Sequence, residues 1–268
     1  MINLYGFFVV LGILVGTWIV EKIRKSCLLF TIYCLPSVFD ILPWLLIPGI
    51  IGARLYHVFD YWKYYVENPR QIFLVWQGGL GIFGGILGAI VGLWIFLKFK
   101  KFGPKAHHPL DDKGLKFNQA FLSLLDLGVI GLSVGQAIGR WGNYFNQELY
   151  GLPTNLFWGI YIKPENRLAG FEDFERFHPL FLYESLGCLA IFIVLLLTRR
   201  YTLDAKRKKA GSAFFLYLLM YSFLRFWLEF LRIEGWEIVG IRVNQVLSLG
   251  LVLISGLAIC KKSVKIKI

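Results

Sequence analysis

Apolar residues fall along this chain in long unbroken runs, separated by short polar stretches. Seven runs stand out, at about 3–20, 41–58, 79–97, 119–139, 179–198, 212–231 and 241–260. Each is near the length that carries a helix across the hydrocarbon of a bilayer at about 1.5 Å per residue. The pattern predicts an all-α integral membrane protein with about seven transmembrane helices in one bundle domain over residues 1–268. The stretch 27–59 fits least well. It is apolar but too long for one span, and it carries Pro36, Asp40, Pro43 and Pro48. Its first part, 27–38, is expected to be interfacial or re-entrant.

Composition agrees with the pattern: 57% of the 268 residues are hydrophobic, only 17% are charged, and the mean hydropathy is +0.60. A soluble domain is about a quarter charged. The net charge of +12 could suggest nucleic acid, but its distribution argues otherwise. Nineteen of the 29 lysines and arginines lie in four clusters, near 22–25, 98–116, 199–209 and 261–267. Such clusters mark cytoplasmic loops and contact with anionic lipid. With all four inside, seven spans close in parity, with the N-terminus outside and the C-terminus cytoplasmic. The segment 140–178 then lies outside. It holds four basic and five acidic residues and is expected to form a small external cap. The first apolar run precedes its positive charges, the reverse of a cleavable signal peptide.

A charged side chain costs about 2.5–3.5 kcal/mol at mid-bilayer on insertion scales, so ionised residues in the spans are functional candidates. In YSFLRFWLEFLR, 221–232, Tyr221, Arg225, Glu229 and Arg232 are spaced four, four and three apart. That spacing gathers them on one helical face. In GQAIGRWGNYFNQELYG, 135–151, Arg140 emerges at the end of span four, followed by Asn143, Asn146, Glu148 and Gly151. Gly128, Gly131, Gly135 and Gly139 precede or flank it at spacings that suit close helix packing. GGLGIFGG, 78–85, opens span three with glycines that leave backbone N–H groups accessible. Weaker signals are Arg54 and His57 near the end of span two, and His178, Tyr183 and Glu184 opening span five.

No histidine pair has metal-ligand spacing backed by carboxylates, and no Walker, GxSxG or HExxH motif occurs. No metal or cofactor is expected. The four cysteines are expected to be small buried hydrophobes. Two arginines can hold a phosphate through paired N–H donors, and a surrounding apolar cavity suits acyl chains. A phospholipid headgroup is the ligand this chemistry fits. A transporter would also place charge inside the membrane, but inverted halves of matched length are absent and the polar groups favour one side.

GRWGNYFNQELYG matches, at every fixed position, the G-R-x-G-N-[FY]-x-N-x-E-x-x-G signature that this stretch resembles, that of bacterial prolipoprotein diacylglyceryl transferases. Tyr5-Gly6, GARLYHV, NPRQIFLVWQGGL, HPLFLYES and YSFLRFWLEFLR extend the likeness in family order. The resemblance implies transfer of the diacylglyceryl group of phosphatidylglycerol to the lipobox cysteine thiol of a preprolipoprotein, in the bacterial inner membrane. It implies catalytic roles for Tyr5, Arg140, Glu148, Arg225 and Glu229. It implies substrate contacts at Asn143 and Gly151, and the residue chemistry adds Asn146, Tyr221, Arg232, Arg54 and His178 as candidates for substrate contact. Many members carry a histidine, assigned as the base, where this chain has Phe83, which cannot accept a proton. His178 and Tyr221 are the chemical alternatives.

Overall fold

A computed structural model of the chain describes residues 4–26, 35–75, 78–99, 117–202, 210–233, 237–238 and 241–264. The fold is helical: α1 (Leu4–Ser26), α2 (Val38–Asp60), α3 (Trp62–Glu67), α4 (Ile82–Phe99), α5 (Phe117–Asn146), α6 (Leu180–Thr202), α7 (Ser212–Leu228) and α8 (Val243–Val264). Among the described residues six helices are long and apolar enough to cross a membrane. A seventh, shorter apolar helix covers Gly84–Phe99. The seven expected spans thus all appear as helices. Most of 27–38 and the basic loops around His107 and His108 lie outside the described residues, as do Cys27 and Cys34. Of the other cysteines, Cys188 is buried and Cys260 exposed, both as free thiols.

The chain divides into two compact units, Cys34–Phe121 and the remainder, Met1–Tyr33 with Leu122–Ile268. In the first, α2 packs along α4. Pro48 lacks an N–H, so the Trp44 carbonyl four residues earlier has no helical donor. That carbonyl abuts Gly92, where a Cβ would collide with it. Gly88 meets the Pro48 carbonyl in the same way, and Gly52 and Gly84 abut each other's backbones. The helices approach this closely because the contact residues have no side chains.

The larger unit uses the same device. A Cβ on Gly12 would lie 2.6 Å from the Gly135 carbonyl, and one on Gly16 would lie 2.6 Å from that of Gly131. The α5 glycine face is therefore used at Gly131 and Gly135, against α1. Gly128 and Gly139 have open space instead, so two of the four glycines make the contact. Helix α7 packs on α6 and α8. Much of α8 is exposed: Leu253 is 61% and Leu257 64% accessible. A spanning helix with an apolar exposed face has lipid as its natural neighbour.

The start of α7 is held by a buried carboxylate. Gly211 N and Phe214 N donate to Asp126 Oδ2 and Oδ1 of α5 at 2.6 and 2.8 Å. The first backbone N–H groups of a helix lack internal partners and carry partial positive charge, and Gly211 has no side chain to cap them. Asp126 satisfies two donors from another helix.

Between α5 and α6 the segment folds on a small core of its own. Tyr150, Ile162 and Phe177 are buried together, with Leu168, Phe171 and Ile233 against them. Strands β1 (Ile160–Tyr161) and β2 (Arg176–Phe177) pair antiparallel, Ile160 opposite Phe177. A second short ribbon, β3 (Glu237–Ile238) with β4 (Ile241–Arg242), leads into α8. The backbone amides of Glu172 itself and of Gly170 hold the Glu172 carboxyl below its ordinary range.

Candidate functional site

Helix α5 ends in a reversal that sets the site. The helix runs on to Asn146, so Arg140, Asn143 and Asn146 lie on its last turns rather than after it. Gln147 N bonds the Tyr144 carbonyl and Glu148 N the Asn143 carbonyl, both at 3.0 Å. This nested pair of bonds closes a helix when the residue after the cap is left-handed. Gln147 supplies that conformation at φ 51°, and Leu149 follows at φ 55°. Two non-glycine residues make this bend, at the cost of a sparsely populated backbone region. The reversal folds Glu148 back onto its own helix, where Asn143 Nδ2 donates to Glu148 Oε1 at 2.8 Å.

Arg140 lies one turn before Asn143. Its Nη1 donates to Asn143 Oδ1 at 3.3 Å, and its Nη2 to Glu184 Oε1 at 2.7 Å. Glu184 belongs to the second turn of α6 and is 4% exposed. Its other oxygen accepts from Arg225 Nη1 at 3.3 Å, and Tyr221 OH donates to Oε1 at 2.9 Å. One buried carboxylate therefore joins an arginine of α5 to an arginine of α7. Arg225 Nη2 continues to Glu229 Oε2 at 3.1 Å. Glu229 is 1% exposed and also receives Asn244 Nδ2 of α8 at 3.0 Å, with Arg232 Nη1 at 3.8 Å. Arg242 Nη1 donates to the Glu229 carbonyl. Four helices contribute to this network at one end of the unit.

In the network Arg140, Arg225 and Arg232 pair with the carboxylates of Glu184 and Glu229, Glu148 is reached through Asn143, and Arg242 holds the Glu229 backbone. Removing one partner of such a buried set leaves an uncompensated charge, which is costly. The arginine side chains are still about a quarter exposed, 25% for Arg140 and 22% for Arg225. A guanidinium has five N–H donors. Among the described residues Arg140 meets Asn143, Glu184 and Tyr221, and Arg225 meets Glu184 and Glu229, so neither guanidinium has all five donors engaged. A cavity of about 330 Å³ lies past the end of α5, with Asn146, Glu148 and Arg232 in its wall; Arg140 and Arg225 do not line it.

Other expected site residues take different places. Tyr5 packs at the end of α1 beside Gly142, where a Cβ would lie 2.9 Å from the tyrosine ring. Gly151 acts through its backbone: its N–H bonds the His178 carbonyl at 2.9 Å, and it bridges Arg232. A Cβ there would lie 2.8 Å from the Leu231 carbonyl, so only glycine lets the segment cross the end of α7. His178 Nδ1 meets Tyr183 OH at 3.1 Å, and that hydroxyl accepts from Trp158 Nε1 at 2.7 Å; neither group touches the arginine network. Arg54 is buried within the smaller unit. It donates to the carbonyls of Gln71, Ile72, Gly78 and Gly79, pinning the glycine turn before α4. The backbone of Phe83 lies in the first turn of α4; its side chain is outside the described residues.

Glu184 is the residue that sequence reasoning underweighted. It was visible as a carboxylate early in an apolar span, but nothing in HPLFLYES says that it faces two arginines from other helices. Asn244 and Arg242 gave less signal still, because they lie at the edge of the last span.

These features define a class: a multi-span membrane protein with an ionised site built from helix ends. The sequence profile of the prolipoprotein diacylglyceryl transferase family matches residues 1–261. A phosphatidylglycerol–prolipoprotein diacylglyceryl transferase of Fervidobacterium nodosum is 40% identical over 213 residues, 80% of this chain and 66% of that protein. Those of Trichormus variabilis and Gloeobacter violaceus are 37% and 36% identical, covering 96% and 93% of this chain and 85% and 84% of their own lengths. The chain belongs to the prolipoprotein diacylglyceryl transferase family.

Proposed function

We propose that this chain transfers the diacylglyceryl group of phosphatidylglycerol to the lipobox cysteine thiol of a preprolipoprotein. The observation that carries the reading is the pair Arg140 and Arg225, bridged by Glu184 and each with donors to spare. In the reaction the substrate's sulfur bonds to the glyceryl carbon next to the phosphate. The carbon–oxygen bond breaks, its electron pair stays on the phosphate oxygen, and glycerol phosphate leaves. The thiol proton is released as the thioether forms. Charge gathers on the departing phosphate, and preorganised cations there stabilise the transition state more than the ground state. Asn143 and Glu148 fix the Arg140 geometry; Glu229 does the same for Arg225. Asn146 and Arg232 line the route by which the headgroup enters.

The nucleophile belongs to the substrate, so the enzyme needs no reactive cysteine of its own. A thiol of ordinary pKa near 8.5 is a few per cent ionised at pH 7. With phenylalanine at position 83, leaving-group stabilisation carries most of the catalysis. The basic clusters support placement in the bacterial inner membrane with the N-terminus outside, the C-terminus cytoplasmic and the arginine network in the outer half. Purified protein, phosphatidylglycerol vesicles and a lipobox peptide test the reading by mass spectrometry. The expected product is a peptide heavier by one diacylglyceryl group. Phospholipid binding without product would leave a lipid-binding scaffold and overturn the transferase reading.

A further inference from the structure

One polar side chain on the face of α5 that carries Arg140 has no part in the network described above. Gln136 precedes Arg140 by four residues, which places it about one turn further into the membrane on the same face. Its Oε1 accepts from Tyr217 OH of α7 at 2.8 Å and from Cys188 Sγ of α6 at 3.8 Å. With the carbonyl oxygen so fixed, the amide nitrogen turns away from both. No acceptor among the described residues meets that nitrogen, and it is not among the side-chain atoms sealed by protein. Tyr217 is buried and stacks on Tyr221, ring centroids 5.6 Å apart and 7° from parallel. Tyr221 in turn donates to Glu184. The amide is therefore held in register with the arginines by a tyrosine stack.

A donor at this depth is costly to leave unmatched. The ligand it suits brings an acceptor and no charge, one step deeper in the bilayer than a phosphate. A diacyl phospholipid has that arrangement. Its phosphate lies outermost, and its ester carbonyls lie one glycerol length further in, comparable to a turn of helix. We propose that Gln136 Nε2 donates to an ester carbonyl of the lipid substrate while Arg140 and Arg225 hold the phosphate. Two anchors at the ends of the glycerol fix the carbon between them in line with its leaving group. A single phosphate clamp would leave that carbon free to swing. The inference rests on the transferase reading and adds a subsite that distinguishes ester-linked from ether-linked lipid.

The experiment compares phosphatidylglycerol with its dialkyl ether analogue of the same chain length and stereochemistry, which keeps the phosphate and lacks both carbonyls. One net hydrogen bond corresponds to roughly a three- to tenfold preference in kcat/KM for the diester. Gln136→Met, close in shape, should lose activity on the diester by that factor and leave the diether unchanged, so that the preference disappears. Tyr217→Phe keeps the amide but frees its orientation, and should reduce the preference in part. An equal rate of the unsubstituted protein on both lipids would overturn the proposal, whatever the variants do. So would an equal loss on both lipids in Gln136→Met with Tyr217→Phe keeping the full preference, which would make Gln136 a packing residue. No transfer from either lipid by the unsubstituted protein would sink the transferase reading instead.

Discussion

Replacing Glu184 by glutamine is the most informative change to the proposed site. The side chain keeps its length and volume and loses its charge. Glu184 receives Arg140 at 2.7 Å, Arg225 at 3.3 Å and Tyr221 at 2.9 Å. A glutamine has one acceptor oxygen in place of two and presents an amide N–H₂ where a guanidinium donates. One arginine must turn away, and the other keeps a neutral bond. Hydrogen bonds to charged groups contribute about 1.5–3 kcal/mol, against roughly 1 for neutral ones. With one charged bond lost and another weakened, the expected cost is about 2–5 kcal/mol. If that cost falls on the alignment of the arginines, kcat/KM drops at least roughly 30-fold. Glu184→Asp keeps the charge but is one methylene short of reaching both arginines, and should recover only part of the rate. The assay is transfer to a lipobox peptide, with the unfolding midpoint in detergent measured in parallel. Wild-type kcat/KM in Glu184→Gln with an unchanged midpoint would refute Glu184 as the group that aligns the pair.

Further outcomes follow from the same geometry. Arg140→Ala and Arg225→Ala should each lower kcat by at least about 10²-fold, as loss of one transition-state donor does elsewhere, and lysine at either position should not restore it, since it lacks the planar fork; steady-state kinetics decide. Asp126→Ala leaves Gly211 N and Phe214 N without their acceptor and should cost roughly 1–3 kcal/mol of stability, read as a lower unfolding midpoint. Gly12→Leu would drive a side chain into the Gly135 carbonyl and should abolish accumulation of folded protein, seen by size-exclusion chromatography. Phe83→His should fold and retain transfer, with any gain in rate appearing at neutral pH.

The helices were legible in the sequence because each spanning segment must be long and apolar on its own, a property local to the run. Part of YSFLRFWLEFLR was legible for the same reason: spacing along α7 puts Tyr221 and Arg225 on one side, whereas Glu229 opens a 3-10 turn and Arg232 is extended, which spacing did not show. What sequence could not give was the partner across the gap. Arg225–Glu229 looks in sequence like a self-neutralising pair within one helix, yet α7 ends at Leu228, and Glu184 of α6 and Asn244 of α8 decide the pair's surroundings. The end of α5 was placed near residue 139 because polar residues follow. Helix termination is set by backbone conformation, here the left-handed Gln147, and a glutamine carries no such signal. Arg54 shows the converse. A buried arginine in a span suggests a ligand site, but its donors are taken by four backbone carbonyls.

The most direct test of the phosphate clamp is an experimental structure of the protein with phosphatidylglycerol bound. The clamp requires the lipid phosphate within hydrogen-bonding distance of both Arg140 and Arg225, with Glu184 still behind them and the acyl chains running deeper along α5. A phosphate bound elsewhere, with both guanidiniums engaged only by protein carboxylates, would contradict it.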